Sequence, residues 1–205
     1  MIVMEIPLSQ LGNLLGPISE GDVVLVETEG EVTADFLLRT VEENRGKAQL
    51  LFVVPKGAPE VRNPLKSQKD VQLLILGKDI DTDRLYELLR TIRNLSEGAL
   101  IVTIRLDSLF LKRDEKSVYL FLEDLASLVQ EKNLILLMTI DKRNVSSRQM
   151  AMFENLSTHV VDTMERITDS RVVHLLRVKK SPKGSTGFYT MNVKDGKIIL
   201  QKPGP

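Results

Sequence analysis

The stretch GDVVLVETEGEVTADFLLRTVEENRG, residues 21–46, decides how the chain is read. Val23, Val24, Leu25 and Val26 make a short apolar strand, and a glycine-bearing turn follows. Phe36, Leu37, Thr40 and Val41 then share one helical face, which Asn44-Arg45-Gly46 ends. Strand, turn and helix N-terminus is the layout that cradles phosphate, because the first N–H groups of a helix have no partner within it. A loop of the form G-x-x-x-x-G-K-[ST] needs glycines for backbone approach and lysine for charge. This turn instead holds Glu27, Glu29, Gly30 and Glu31, and the first lysine of the chain is Lys47, beyond the helix. Arg39 lies about two turns into that helix. At roughly 6 Å and an effective dielectric near 20, each glutamate opposes one phosphate charge by about 3 kcal/mol. The glutamates are therefore expected in the loop before the first sheet-packed helix, serving its positive N-terminal end themselves.

Outward from this stretch, strand and helix alternate. QLLFVV (49–54) is a second strand stopped by Pro55, and VQLLIL (71–76) follows a Pro- and Lys-rich loop. DTDRLYELLRTIRNL (81–95) is expected as a helix capped by Asp81 or Thr82, with Leu85, Leu88, Leu89, Ile92 and Leu95 at helical spacing. ALIVTIRL (99–106) and LILLMTI (134–140) are near-continuous apolar runs, the mark of parallel strands covered on both faces. Between them DEKSVYLFLEDLASLVQEK (114–132) carries the stripe Val118, Phe121, Leu122, Leu125, Leu128, Val129. From 158 the pattern changes to consecutive strands, THVVDTMERI, RVVHLLRVKK, GFYTMNV and KIILQ, with Asp195-Gly196 turning between the last two. The expectation is one α/β domain over 1–205, its mainly parallel sheet ending in antiparallel edge strands.

Composition narrows the chemistry. The chain has 205 residues, 42% hydrophobic and 27% charged, no cysteine and two histidines. Disulfides and thiolate metal sites are excluded, and His159 and His174 sit in strand patterns as ordinary sheet residues. No apolar run reaches the roughly 18 residues of a membrane span, and MIVMEIPLSQ lacks the flank of a secretory signal, so a cytoplasmic setting is expected. The net charge is zero but uneven, with residues 1–170 at −7 and residues 171–205 at +7. Such asymmetry marks either an acidic body packed on a basic sheet or a surface for an acidic partner.

In order, these pieces resemble the RecA superfamily of P-loop NTPase fold, and within it the archaeal KaiC-like ATPases. IPLSQLGNLLGPISEGDVVLVE (6–27) is similar to that family's lead-in, with Leu8, Leu11, Leu15, Gly16, Gly21 and Val23–Glu27 in place. IRLDSLFL (104–111) resembles its second nucleotide motif, an apolar strand ending in Asp-Ser-Leu, and residues 171–200 resemble its closing strands. The resemblance implies helices on both faces of the sheet and side-by-side assembly. It also implies that Asp107, with Ser108, is the remnant of a magnesium-holding motif, although an Asp there is equally an ordinary cap or turn residue. The family's catalytic carboxylates after the second strand are not matched, since Pro55 and Lys56 stand there.

No catalytic residue, cofactor or metal ligand is assigned. The leading expectation is a non-catalytic RecA/KaiC-like protein working through protein–protein contacts, as a homo-oligomer or with a related subunit. Two alternatives stand. The basic strand end Arg177, Lys179, Lys180 and Lys183, beside Phe188 and Tyr189, could bind nucleic acid, or lysines could simply guard an edge strand. Asp107, Ser108, Thr139 and Asp141, at the ends of parallel strands, could instead bind another small ligand, as a sensor or enzyme.

Overall fold

The structure, a computed structural model, describes residues 14–29, 43–58, 65–66, 68–168, 171–194 and 197–202. The helix expected from Phe36 to Val41, with Arg39, Gly30, Glu31, Leu8, Leu11 and the Asp195-Gly196 turn, lies outside those residues. Its closing turn is described, and Gly46 has the positive φ of 72° that suits a glycine after a helix end.

Nine strands form one sheet: β1 (Val23–Thr28), β2 (Leu50–Pro55), β3 (Val71–Leu76), β4 (Leu100–Thr103), β5 (Ile135–Asp141), β6 (His159–Thr168), β7 (Arg171–Lys180), β8 (Tyr189–Lys194) and β9 (Lys197–Gln201). Their order is β3-β2-β4-β5-β1-β6-β7-β8-β9. All pairs from β3 to β6 are parallel, and the pairs from β6 through β9 are antiparallel. The five expected parallel strands are present, and β6 adds a sixth on the flank of β1.

Alternation along each strand sorts the core into two layers, as the two-residue period of a strand requires. Val23, Leu25, Leu51, Val53, Ile101, Leu136 and Met138 pack on one face with helices α1 (Leu85–Arg93), α2 (Glu115–Glu131) and α3 (Ser147–Leu156). Val24, Val26, Leu50, Phe52, Leu100, Val102, Ile135 and Leu137 pack on the other with Leu15, Ile18, Ala58 and Leu65. Each fully buried aliphatic side chain stabilises by about 1.5–3 kcal/mol relative to exposure, so both layers hold the sheet.

Four local expectations are corrected. The strand at 99–106 ends at Thr103, because Arg105 takes a left-handed φ of 52° and its N–H donates to the Thr139 hydroxyl at 3.0 Å. Leu106–Leu111 is then a 3-10 turn, so Asp107 and Ser108 lie in that turn and not on a strand end. Helix α1 starts at Leu85 behind Arg84, with no side-chain cap, because Asp81 accepts the N–H of Asp83 instead. Glu27 lies within β1 and is buried, not in the loop that follows.

Candidate functional site

In a parallel sheet the crevice beyond the C-terminal strand ends is where ligands bind. Here those ends are occupied by the chain's own charges. Glu27 closes the apolar run of β1 and is 1% exposed. Both of its carboxylate oxygens accept from Lys179 Nζ on β7 at 3.1 Å, and Lys179 also donates to Glu154 on α3. Burial, with a hydrogen bond donated to Glu154, lifts the Glu27 carboxyl from 4.5 to about 7, while Lys179 pulls it down. Burial also works against charge on Glu154, yet Lys179 and Glu27 hold that carboxyl below its ordinary value. Two carboxylates thus face one ammonium, and Glu27 is the one of them that holds a proton more readily.

Beside this joint, Asp162 on β6 accepts from Lys142 Nζ at 2.6 Å and from Arg177 Nε at 2.9 Å. Glu29, just past β1, lies 3.8 Å from Lys142. Two strands away, Asp107 is buried and both of its oxygens are engaged. Oδ1 accepts the N–H of Asp141 at 3.0 Å, and Oδ2 accepts from Asn144 Nδ2 at 3.1 Å. Asp141 is gripped by Arg143 at 2.9 and 2.7 Å, whose hydrogen bonds hold its carboxyl below the usual range. Thr139 accepts the Arg105 N–H, so each of the expected strand-end residues except Ser108 has its side chain in a local hydrogen bond.

The basic cluster resolves the same way. Arg177 is bound to Asp162 and stacks over Phe188, with its guanidinium carbon 4.7 Å from the ring centroid. Lys179 serves Glu27 and Glu154. Lys180 donates to the carbonyls of Ser157 at 2.6 Å and Glu154 at 3.3 Å, neutralising the C-terminal end of α3. The stem of Lys183 lies over Gly16, whose φ is 86° and where an added Cβ would sit 3.4 Å from it. Of the histidines, His159 is fully buried beside Thr158, which burial answers by lowering its pKa, and His174 stands 3.6 Å from Glu165.

An open depression of about 310 Å³ adjoins the joint, lined in part by Lys142, Ser146, Met150 and Glu154. Among the described residues no group of three or more His, Cys, Asp or Glu could hold a metal ion. Nor is any helix among them long and apolar enough to cross a membrane.

Sequence reasoning missed α3, and with it Glu154. Only Phe153 on that helix is buried, so no apolar stripe announces it. The available signal was the S-x-x-Q capping box, in which Ser146 and Gln149 bond each other's backbone N–H groups. Asp162 and Lys142 were missed because each is a single polar residue, one inside β6 and one just past β5.

Comparison with known proteins agrees with this geometry. The fold matches the flagellar accessory protein FlaH of Methanocaldococcus jannaschii, with TM-score 0.65 and 13% identity over 97% of this chain and 99% of that one. It also matches a KaiC-like protein of the hyperthermophilic archaeon Pyrococcus horikoshii OT3, with TM-score 0.73 and 15% identity over 97% and 99%. The parallel core, flanking helices and antiparallel edge strands are therefore those of the RecA-like P-loop fold. No curated protein matches the sequence. Residues 10–194 match the model of a family of unknown function, DUF7125, and the chain belongs to that family.

Proposed function

We propose that residues 1–205 form one non-catalytic RecA/KaiC-like domain that works in the cytoplasm through protein–protein association, in a regulatory or scaffolding role. Its partner is a second copy or a related RecA-like subunit. The observation that carries this reading is the Glu27–Lys179–Glu154 joint. An ATP phosphate entering there would meet two carboxylates and displace them from the ammonium they share. Asp107 supports the reading, since a magnesium ion would have to compete with the Asp141 N–H and Asn144 for its oxygens. The sequence of the turn adds that no lysine precedes Lys47.

Nucleic-acid binding is the weaker reading. Arg177, Lys179 and Lys180 are engaged within the fold, which leaves little charge to release counterions from a phosphate backbone.

Steady-state hydrolysis assays with magnesium and ATP, run beside light scattering at 50 and 500 mM salt, test the proposal. The expected result is no turnover above background and a particle larger than a monomer. Magnesium-dependent turnover, or a monomer at both salts and at high concentration with no related subunit bound, overturns it. Glu29→Lys with Glu31→Lys is expected not to create hydrolysis, because the turn is short and has a single glycine where a phosphate loop needs several residues of wrapping backbone.

A further inference from the structure

β6 and β7 pair Val160 with Lys180 and Val161 with Val178, which leaves Lys179 as an extra residue without a partner on β6. A bulge of this kind bends the strand and re-aims a side chain. Here it sends Lys179 past β6 to Glu27 on β1, and to Glu154 on α3.

The charges around Glu27 do not balance. Asp162 stands opposite it on β6 and is taken up by Lys142 and Arg177. On the other side its neighbour on β5 is Ile140, and Asp141 beyond is held by Arg143. Glu29 lies against Lys142. Two carboxyl groups, Glu27 and Glu154, are left for Lys179. One ammonium offsets one of two like charges. Glu27 is fully buried, whereas the Glu154 side chain is 32% exposed, so of the two only Glu154 has solvent to turn to.

The other holds on α3 are few. Phe153 is its one buried residue, set edge-on to Phe110, with Met150 and Leu156 partly buried against the same core. Arg148, largely exposed, pairs with Glu115 on α2, and Lys180 holds the carbonyls of Ser157 and Glu154. An element with so few buried apolar contacts opens at low cost.

We propose that Glu27, Lys179 and Glu154 form a proton-operated latch on α3. With Glu27 protonated, its O–H donates to Glu154, Lys179 bridges the pair, and the helix is held on β1 and β7. With Glu27 ionised, Glu154 turns out to solvent, Lys179 stays with the buried carboxylate, and the last turns of α3 loosen. The depression lined in part by Lys142, Met150 and Glu154 widens as they do. Because the held Glu27 carboxyl is raised to about 7, the latch is firm below the ordinary value of 4.5 and weakens as pH rises to about 7. All three residues belong to one subunit, so the latch stands apart from the association reading.

Hydrogen exchange on the full chain, read in peptides spanning 147–156 and corrected for the intrinsic effect of pH, tests the latch. Between pH 6 and pH 8.5 wild-type α3 should lose about tenfold in protection, the change expected if Glu27 regains its ordinary value in the released helix. Peptides of α2 should change less. Glu27→Gln and Glu154→Gln should each keep α3 at its pH 6 protection throughout, since neither leaves two carboxylates on one ammonium. Glu154→Gln alters a part-exposed side chain, so it decides alone if Glu27→Gln does not fold. Wild-type α3 that loses no more protection than α2, or a loss that persists in either variant, overturns the latch.

Discussion

At the N-terminal ends of the central strands β1, β5 and β6 the backbone is joined by bonds between uncharged groups. The Val23 N–H donates to the Thr158 hydroxyl at 3.1 Å, and that hydroxyl and the Thr158 N–H return bonds to the Val23 carbonyl. Gly21 donates to Leu134 at 2.7 Å, and His159, buried and favoured neutral, stands 4.0 Å from the Asp22 carboxylate, which is held by Ser19. At the C-terminal ends of β1 and β5, and where β6 leaves β1, stand ion pairs: Glu27 with Lys179, Asp141 with Arg143, and Asp162 with Lys142 and Arg177. One sheet is therefore closed by two chemistries. The Val23–Thr158 and Gly21–Leu134 joints hold the central strands by bonds between groups that do not titrate. The charged end sets ion pairs at the C-terminal strand ends, where substitution and protons should act most strongly.

The largest effect should come from Lys179→Met, which strips the one ammonium from two carboxylates. Breaking a buried pair by removing one partner costs about 3–5 kcal/mol. Denaturant unfolding at pH 8 should show a loss of that order, and a smaller one at pH 5, where Glu27 is protonated. An equal loss at both pH values would mean that Lys179 acts through packing alone.

Next comes Glu27→Gln, which keeps the acceptor and removes the charge. With its carboxyl raised to about 7, folded Glu27 keeps a proton that the unfolded chain gives up near 4.5. This group therefore lends stability below about 4.5 and withdraws it as pH rises to about 7. His159 acts with the opposite sign, since its lowered pKa costs stability as pH falls below the unfolded value near 6.5. The difference between variant and wild type isolates Glu27. From pH 5 to pH 8 that difference should move in favour of Glu27→Gln by about 1–3 kcal/mol. A flat difference would break the contrast between the two ends.

Asp107→Ala should cost about 1–3 kcal/mol, because the buried N–H of Asp141 loses its acceptor. The smallest effect is expected for Asp70→Asn. Its pair with Arg45 at 3.1 Å is more than half exposed on both sides, and such pairs are worth about 0–1 kcal/mol. Measured together, Lys179 and Asp70 separate the effect of burial from that of charge.

The sheet was legible because apolar runs such as VVLV, LIVT and ILLM carry their own period, and the capped stripe of α2 announces a helix over almost its true length. The end of β4 was not, because Arg105 adopts a left-handed conformation that no residue type there advertises. The joint was illegible for another reason. Glu27 and Lys179 are 152 residues apart, so a glutamate that pattern alone assigns to a loop is settled by a lysine that pattern alone assigns to a partner. The glutamates of the turn can be read from the sequence; which cation answers Glu27 depends on sheet order, with β6 lying between β1 and β7.

The central claim is that this crevice is filled from within. Calorimetric titration of magnesium–ATP into the full chain at pH 7.5, at tens of micromolar protein, addresses it most directly. The account predicts no saturable heat, for wild type and for Asp107→Ala alike. Saturable micromolar binding by wild type that Asp107→Ala abolishes would contradict it, since the nucleotide would then have displaced the ion pairs that close the strand ends.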